Sequence, residues 1–397
     1  MRKSPELRRI AWIPRSGLRQ NSRAACFPGA PLFVLTVIGV ASFCHIGFAQ
    51  SNLVLRSLEI PKSEIKQFDK RAVYLNDGTI VNWDEVLQAE LPVGTKAEGG
   101  VPASQESFDH FLKTRGMPLF RIRHRLSIGD FASLSEMTEP LYEVLQGLPD
   151  SLEEARADYL ICLGTMRARL HGGDRAGAIL PFLRASDLRS RFSFDSGLPP
   201  EVELAVQQKD QVLSPLITPL FFDAEGARTQ LALVGSKQLG EQQGGKIYWT
   251  ALAICGGEEE LAREWLSQLA EQDSNWVPIL AAQVELRGAA GDRMEALRNP
   301  VWRAGLTRTQ SIVADFLLGL AAQRIPADAD QASLLFLKIA AASETVDRHM
   351  GSAALYQALL VARQNGKARE AEILKRELLD KYSETYHGRR VNAEGQQ

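Results

Sequence analysis

The stretch Ser151–Asp174, SLEEARADYLICLGTMRARLHGGD, decides how the rest of the chain is read. Leu152, Ala155, Tyr159, Leu163, Met166 and Leu170 recur at three- and four-residue spacing, which puts them on one face of an α-helix. Ser151 and Glu154 open it with the S-x-x-E pattern, in which hydroxyl and carboxylate cap each other's backbone donors. Gly172-Gly173 closes it, because glycine enters the left-handed terminator with least strain. Asp174 then begins a second helix, its carboxylate placed to accept from unpaired N–H groups. The unit is an antiparallel helical hairpin.

The same arrangement recurs along the chain. Gly129-Asp130 follows LFRIRHRLSI, Gly291-Asp292 follows WVPILAAQVELRGAA, and Asn365-Gly366 follows ALYQALLVARQ. Alanine stands five residues after several of the stops: Gly173 leads to Ala178, Gly257 to Ala262, Gly291 to Ala296 and Gly366 to Ala371. A turn at Pro326-Ala327-Asp328 leads to Ala332 in the same register. Small residues there let the two helices of a hairpin approach closely.

The intervals from 257 to 291, 327 and 366 are 34, 36 and 39 residues. Over roughly 250–390, and more vaguely over 107–190, the chain resembles the tetratricopeptide repeat, whose helix pairs recur at a period of about 34. Trp265 and Tyr356 occupy helix positions but not in a constant frame, so the family pattern is only partly met. The resemblance implies a mainly α fold of stacked antiparallel hairpins, an α-solenoid, with an extended surface for a protein or peptide partner. The glycines Gly129, Gly173, Gly257, Gly291 and Gly366 are then structural turn residues.

Residues 50–100 read differently. Val73 and Tyr74, then Ile80 and Val81, flank Asn76-Asp77-Gly78, the signature of a small β-hairpin. Trp83–Val86 follows as a short helix or strand end, and the Gly-rich Val93–Pro102 reads as a linker to a helical domain over 101–390. Glu201–Val212 is expected to be helical within an otherwise poorly patterned stretch, 189–244. The polar end from Tyr386 is expected to fray, with 391–397 a disordered tail.

The front of the chain is set apart by charge. Residues 1–49 hold seven basic residues and one acid, while the whole chain carries −2, which leaves −8 on the rest. An acidic body is a poor partner for nucleic-acid phosphates. Leu32–Phe43 (LFVLTVIGVASF) is a compact apolar run behind that basic segment, and Gly47-Phe48-Ala49 offers a small-residue cleavage site. Residues 1–49 therefore read as a signal peptide or an N-terminal membrane anchor, and either places the body outside the cytoplasm. Membrane association is expected only through this segment, if it is retained. Cleavage would leave Cys162 and Cys255, both in apolar helical runs, too few for a disulfide framework.

Catalytic motifs are lacking. The histidines His45, His110, His124, His171, His349 and His387 form no i, i+4 pair, and the chain has no C-x-x-C, no G-x-S-x-G and no phosphate loop. Acidic runs such as Glu258–Glu260 begin helices, where they complement the dipole. No cofactor is expected. Trp83, Trp276 and Trp302 read as wedges between packed elements. Arg115, Arg121, Arg123 and Arg125 are the one cluster with a functional reading. On a helix they spread around it and pair with Asp130, Glu136 and Glu139; on a strand they would line one face. The expectation is a non-enzymatic interaction or scaffold protein. The alternative is an envelope enzyme or anionic-polymer-binding protein whose site joins Arg115–Arg125 to the β-hairpin.

Overall fold

The computed structural model describes residues 54–56, 65–203, 213–234, 243–270, 274–287, 293–343 and 347–395. The N-terminal signal or anchor segment and Gly291 lie outside them, as do residues 204–212 of the helix expected over Glu201–Val212.

The β segment is larger than a hairpin. Strands β1 (Val54–Leu55), β2 (Ile65–Phe68), β3 (Ala72–Leu75), β4 (Ile80–Asn82) and β5 (Val86–Gln88) form two antiparallel sheets, β1-β5 and β2-β3-β4. The turn stands where Asp77-Gly78 requires it: Gly78 has φ +88°, and the Leu75 and Thr79 backbones close the loop at 2.9 Å. Trp83–Glu85 is a 3-10 turn. Phe68, Val73, Trp83 and Val86 form a buried core with Phe108, Phe68 and Phe108 meeting edge to face at 5.2 Å. Phe108 lies beyond residue 100, so this core reaches past the expected boundary. Val93–Pro102 is likewise no free linker. Lys96 exchanges backbone hydrogen bonds with Lys66 and Phe68, and the Thr95 side chain is buried.

Helices α1 (Gln105–Phe111) and α2 (Met117–Ile128) are joined through a π-helical turn, Leu112–Gly116, in which the Met117 N–H donates to the Leu112 carbonyl. Pro118 explains the turn, because its ring and missing N–H forbid a regular bond to the carbonyl four residues back. After them come α3 (Ser135–Glu143), α4 (Leu152–His171), α5 (Ile179–Arg191), the single turn α6 (Pro200–Glu203) and α7 (Ala224–Val234). Four further pairs follow: α8 (Gln243–Gly256) with α9 (Glu259–Ala270), α10 (Trp276–Arg287) with α11 (Arg293–Arg298) and α12 (Pro300–Ala304), α13 (Arg308–Gln323) with α14 (Ala329–Ser343), and α15 (Arg348–Gln364) with α16 (Ala368–Tyr382). The last helix is α17 (Tyr386–Glu394). Consecutive helices pack on one another from α2 to α5, from α7 to α12 and from α13 to α17, giving a predominantly α, stacked-hairpin architecture.

Hairpin stops fall where glycine or proline places them. Gly129, Gly173, Gly257 and Gly366 all have positive φ. Ala178, Ala262, Ala332 and Ala371 are buried at the second helices, but Ala296 is exposed and Leu297 is buried instead. Asn299 caps the next helix and Pro300 starts it, so α11 is cut short and the pattern shifts there. Helix α4 also departs from expectation. Ser151 caps it, accepting from the Glu154 N–H, but Glu154 turns to Lys70 and Arg71 instead of completing the box. It is buried on nearly every side from Ala155 to Ala168, with only Leu152 exposed among the predicted face. A Cβ on Gly164 would stand 2.8 Å from the Thr138 methyl and 3.1 Å from Ile122, so glycine lets α2 and α3 close on α4.

Two features overturn the picture of an open array with a frayed end. The end is a helix, capped by Thr385 and burying His387, Gly388 and Val391. And the last hairpin does not contact only its neighbours. Arg175 pairs with Asp347 at 2.9 Å, His349 Nε2 meets the Leu170 carbonyl at 3.2 Å, and Arg389 donates to the Gly172 carbonyl at 2.7 Å. These contacts dock α15 and α17 on the α4–α5 turn.

Candidate functional site

The four arginines singled out in the sequence sit on one helical segment and point to different tasks. Arg123 joins Asp84 at 3.1 Å, and Arg125 pairs with Asp130. Arg121 is exposed. Glu139, an expected partner, is instead held by Arg169 through two bonds of 2.8 and 2.7 Å. No single arginine stripe or strand face is formed.

Asp84 is the centre of a buried clasp. Its carboxylate is 1% exposed and takes both Arg156 amino groups, at 2.5 and 3.2 Å, besides Arg123. Arg156 also donates to the Asp195 carbonyl at 2.7 Å. The β core is thereby fixed to α2, α4 and the loop after α5.

Arg115 is different. It stands in the π-helical turn, lines a groove of about 230 Å³, and among the described residues its guanidinium has no hydrogen-bond or ion-pair partner. Phe111, Leu119, Leu141, Val144 and Ile161 make the groove apolar, and Asp158 stands in it facing Arg115 electrostatically. Burial raises the Asp158 carboxyl above its usual range, against the pull of Arg184, which bonds it at 3.0 Å, and of Arg115.

A second cluster escaped sequence reading because its members are far apart in the chain. Gly173, Arg175, Phe222, His349, Ser352 and His387 line a cavity of about 30 Å³ at the C-terminal docking contact. Asp347 accepts from Arg175, from Thr218 and from the His349 and Met350 amides. Burial pushes the Asp347 carboxyl up, but Arg175, His349 and these donors outweigh it and leave it below its usual range. His349 is lowered to about 4, first by burial and then by Arg175. His387 is 4% exposed and lowered to about 3, again by burial first and Arg390 next. Its ring stacks on Tyr356 at 4.8 Å and meets Phe222 edge-on at 4.8 Å, and neither ring nitrogen has a partner among the described residues. Ser352 and Thr385 hydroxyls bond each other at 2.6 Å, and Thr385 caps α17. No histidine is hydrogen-bonded to either hydroxyl among the described residues, so the cluster lacks the nucleophile–base contact of covalent catalysis.

Trp83 and Trp276 are buried and Trp302 is partly buried against the core, as wedges. Cys162 and Cys255 are buried and not disulfide-linked, and burial raises the Cys162 thiol far above its usual range. Among the described residues no group of three or more His, Cys, Asp or Glu side chains is placed to hold a metal ion, and no helix is long and apolar enough to cross a membrane.

The fold defines a class, a helical-repeat protein with a small β core at its N-terminal side. No known family model, curated protein or solved structure matches the chain, and the stacking is that of helical repeats in general rather than of tetratricopeptides in particular.

Proposed function

We propose that this chain is an exported, non-enzymatic helical-repeat protein that binds another protein through the outer side of its last two hairpins. The observation that carries the reading is an apolar spot on the second helices of those hairpins. Leu334 is 69% exposed and Leu337 is exposed one turn on, while Ile373 is exposed on α16. Helices α14 and α16 run in the same sense, each antiparallel to α15, and Lys367 bridges their first turns to Asp330 at 2.9 Å. At 1.5 Å rise per residue, Leu334 and Ile373 stand at similar heights above that bridge. Lys338 on α14 and Arg369, Glu372 and Arg376 on α16 are exposed on the same two helices, which supports an apolar contact with charged neighbours.

The test is affinity capture from the envelope fraction with the tagged wild type beside a Leu334→Glu/Leu337→Glu variant. Both leucines are exposed, so the variant keeps its melting temperature. A near-stoichiometric protein captured by the wild type and lost by the variant is the expected result. Equal capture by both moves the surface elsewhere, and no capture from cells that hold the protein intact ends the reading. Amino-terminal sequencing of the mature chain addresses export: Gln50 as first residue follows from signal cleavage, and recovery in the cytosol with an intact N-terminus removes export altogether.

A further inference from the structure

The groove beside α2 is a built site with an unused cation. Its walls come from two layers, Phe111, Thr114, Arg115, Pro118 and Leu119 on one side and Leu141, Val144, Leu145, Ala157, Asp158 and Ile161 on the other. Its volume of about 230 Å³ lies below the range of pockets for drug-sized ligands, so it suits a smaller one, and its lining is mostly apolar with a few polar groups. Val144, 68% exposed, stands at the mouth.

Three independent features converge on Arg115. Arg115 stands within the π-helical turn that Pro118 brings about, and such turns are frequent at functional sites. That turn is held from behind, because a Cβ on Gly116 would stand 2.8 Å from the Trp83 carbonyl oxygen. And the half-buried Arg115 has no hydrogen-bond acceptor for its guanidinium among the described residues, whereas Arg56, Arg167, Arg175 and Arg184, whose Nε groups are also unsatisfied, each bond an acceptor through an amino group. Asp158 is bonded to Arg184 at 3.0 Å and feels Arg115 only electrostatically, so Arg115 is the cation of the groove wall with no carboxylate bonded to it among the described residues.

We infer that this groove binds a small amphipathic carboxylate, the acid group on Arg115 and the hydrocarbon tail along Leu119, Leu141, Leu145 and Ile161. A carboxylate accepts from the Arg115 amino groups, which have no acceptor among the described residues, while the tail covers the apolar wall. An alcohol of equal length gains only the second term, and an ammonium meets the wrong charge. The inference stands apart from the proposed partner surface, which lies on α14 and α16.

Calorimetric titration of the full chain with octanoate, octan-1-ol and octylammonium tests it. Octanoate is expected to saturate one site per chain at least tenfold tighter than octan-1-ol, the scale of a hydrogen bond to a charged group. Octylammonium is expected to be the weakest of the three. Arg115→Gln should reduce octanoate to the level of octan-1-ol and leave the alcohol unchanged, and Val144→Trp at the mouth should weaken both. Arg115→Gln without ligand should melt close to wild type, because no hydrogen bond is lost and Asp158 keeps its bond to Arg184. Octanoate binding no tighter than the alcohol in the wild type overturns the inference whatever the variants do. So does a folded Arg115→Gln chain that binds octanoate as before, or one that loses stability and thereby shows Arg115 to be a structural residue.

Discussion

Asp84 and Asp347 are both buried carboxylates that tie distant parts of the chain together, and their surroundings differ. Asp84 meets only side-chain cations, Arg156 from α4 and Arg123 from α2, the latter still in contact with solvent. Asp347 meets one guanidinium, a hydroxyl and two backbone amides, and so serves as ion-pair partner and helix cap together. Beside it stand His349 and His387, both held neutral by burial. A buried ion pair contributes little net stability over a well-packed apolar replacement, and breaking one partner out is what costs. The two clasps are therefore better understood as devices that select one docked arrangement. The second is also wired to protons, whereas among the described residues no histidine is bonded in the first.

The largest effect is expected from Asp347→Ala. It strands Arg175 in the interior at about 3–5 kcal/mol and removes the α15 cap at about 1 kcal/mol. Denaturant unfolding should show the loss, and proteolysis should cut first near α15–α17. Asp84→Ala should cost less, about 3 kcal/mol, because Arg123 can turn to water and no α-helix cap is lost. The residual carbonyls do not separate the two, since Arg156 keeps those of Asp195 and Ser196 as Arg175 keeps those of Thr218 and Leu220. Its first cuts should fall in the β core. If both variants lose the same elements together, the clasps are one cooperative unit and the contrast between them fails.

What the sequence reveals of this fold is what is local. Glycine at Gly129, Gly173, Gly257 and Gly366 marks hairpin stops because each stop needs positive φ, and Asp77-Gly78 marks the β turn for the same reason. The docking contacts were illegible because Asp84 and Arg156 lie 72 positions apart and Arg175 and Asp347 lie 172 apart. The charged exposed side of α17 makes the end of the chain look frayed in the sequence, although His387 and Val391, four apart and both buried, carry a helical face. Pro118 within α2 and Pro300 after α11 were signals available in the sequence, for the π-helical turn and for the shortened repeat. Of the candidate arginines, nothing in their spacing separates Arg115, which is unpartnered, from Arg123, which is fixed to Asp84. That difference depends on which helix packs opposite.

The next effect in size is acid sensitivity confined to one clasp. The folded-state values of His349 and His387 lie below the ordinary histidine value of about 6.5. Groups depressed by folding stabilise fully above that value and lose the contribution as pH falls toward the folded value. The groups facing His387 are Arg390, His349 and Arg175, all cationic or able to become so, and those facing His349 are Arg175, Asp347 and Glu384. Between pH 7 and 5 each histidine should remove about 2 kcal/mol from the folded state. Hydrogen exchange should then rise in α15–α17 before the β core. His387→Phe keeps the stack on Tyr356, so it should melt no lower than wild type at pH 7 and lose roughly half of the acid sensitivity. An unchanged pH profile in that variant would remove the proton link from the comparison.

The smallest effect comes from Thr218→Val, which keeps shape and burial but deletes the hydroxyl that donates to Asp347. The carboxylate retains Arg175 and two amides, so no charge is stranded, and the expected loss is about 1.5 kcal/mol for one hydrogen bond to a charged group. The direction of its pH dependence is more telling than its size. Thr218 is one of the donors that hold the Asp347 carboxyl low against burial, so its removal should move that carboxyl back toward its usual range. The acid limb of stability below about pH 4 starts at the unfolded carboxyl's own value, so in the variant it should be shallower and end at higher pH, while the limb set by the histidines between pH 7 and 5 stays where it was. A variant that shifts both limbs together would mean that Asp347 and the histidines titrate as one group, and the C-terminal clasp would then be a single proton-linked switch rather than a carboxylate latch with histidines beside it.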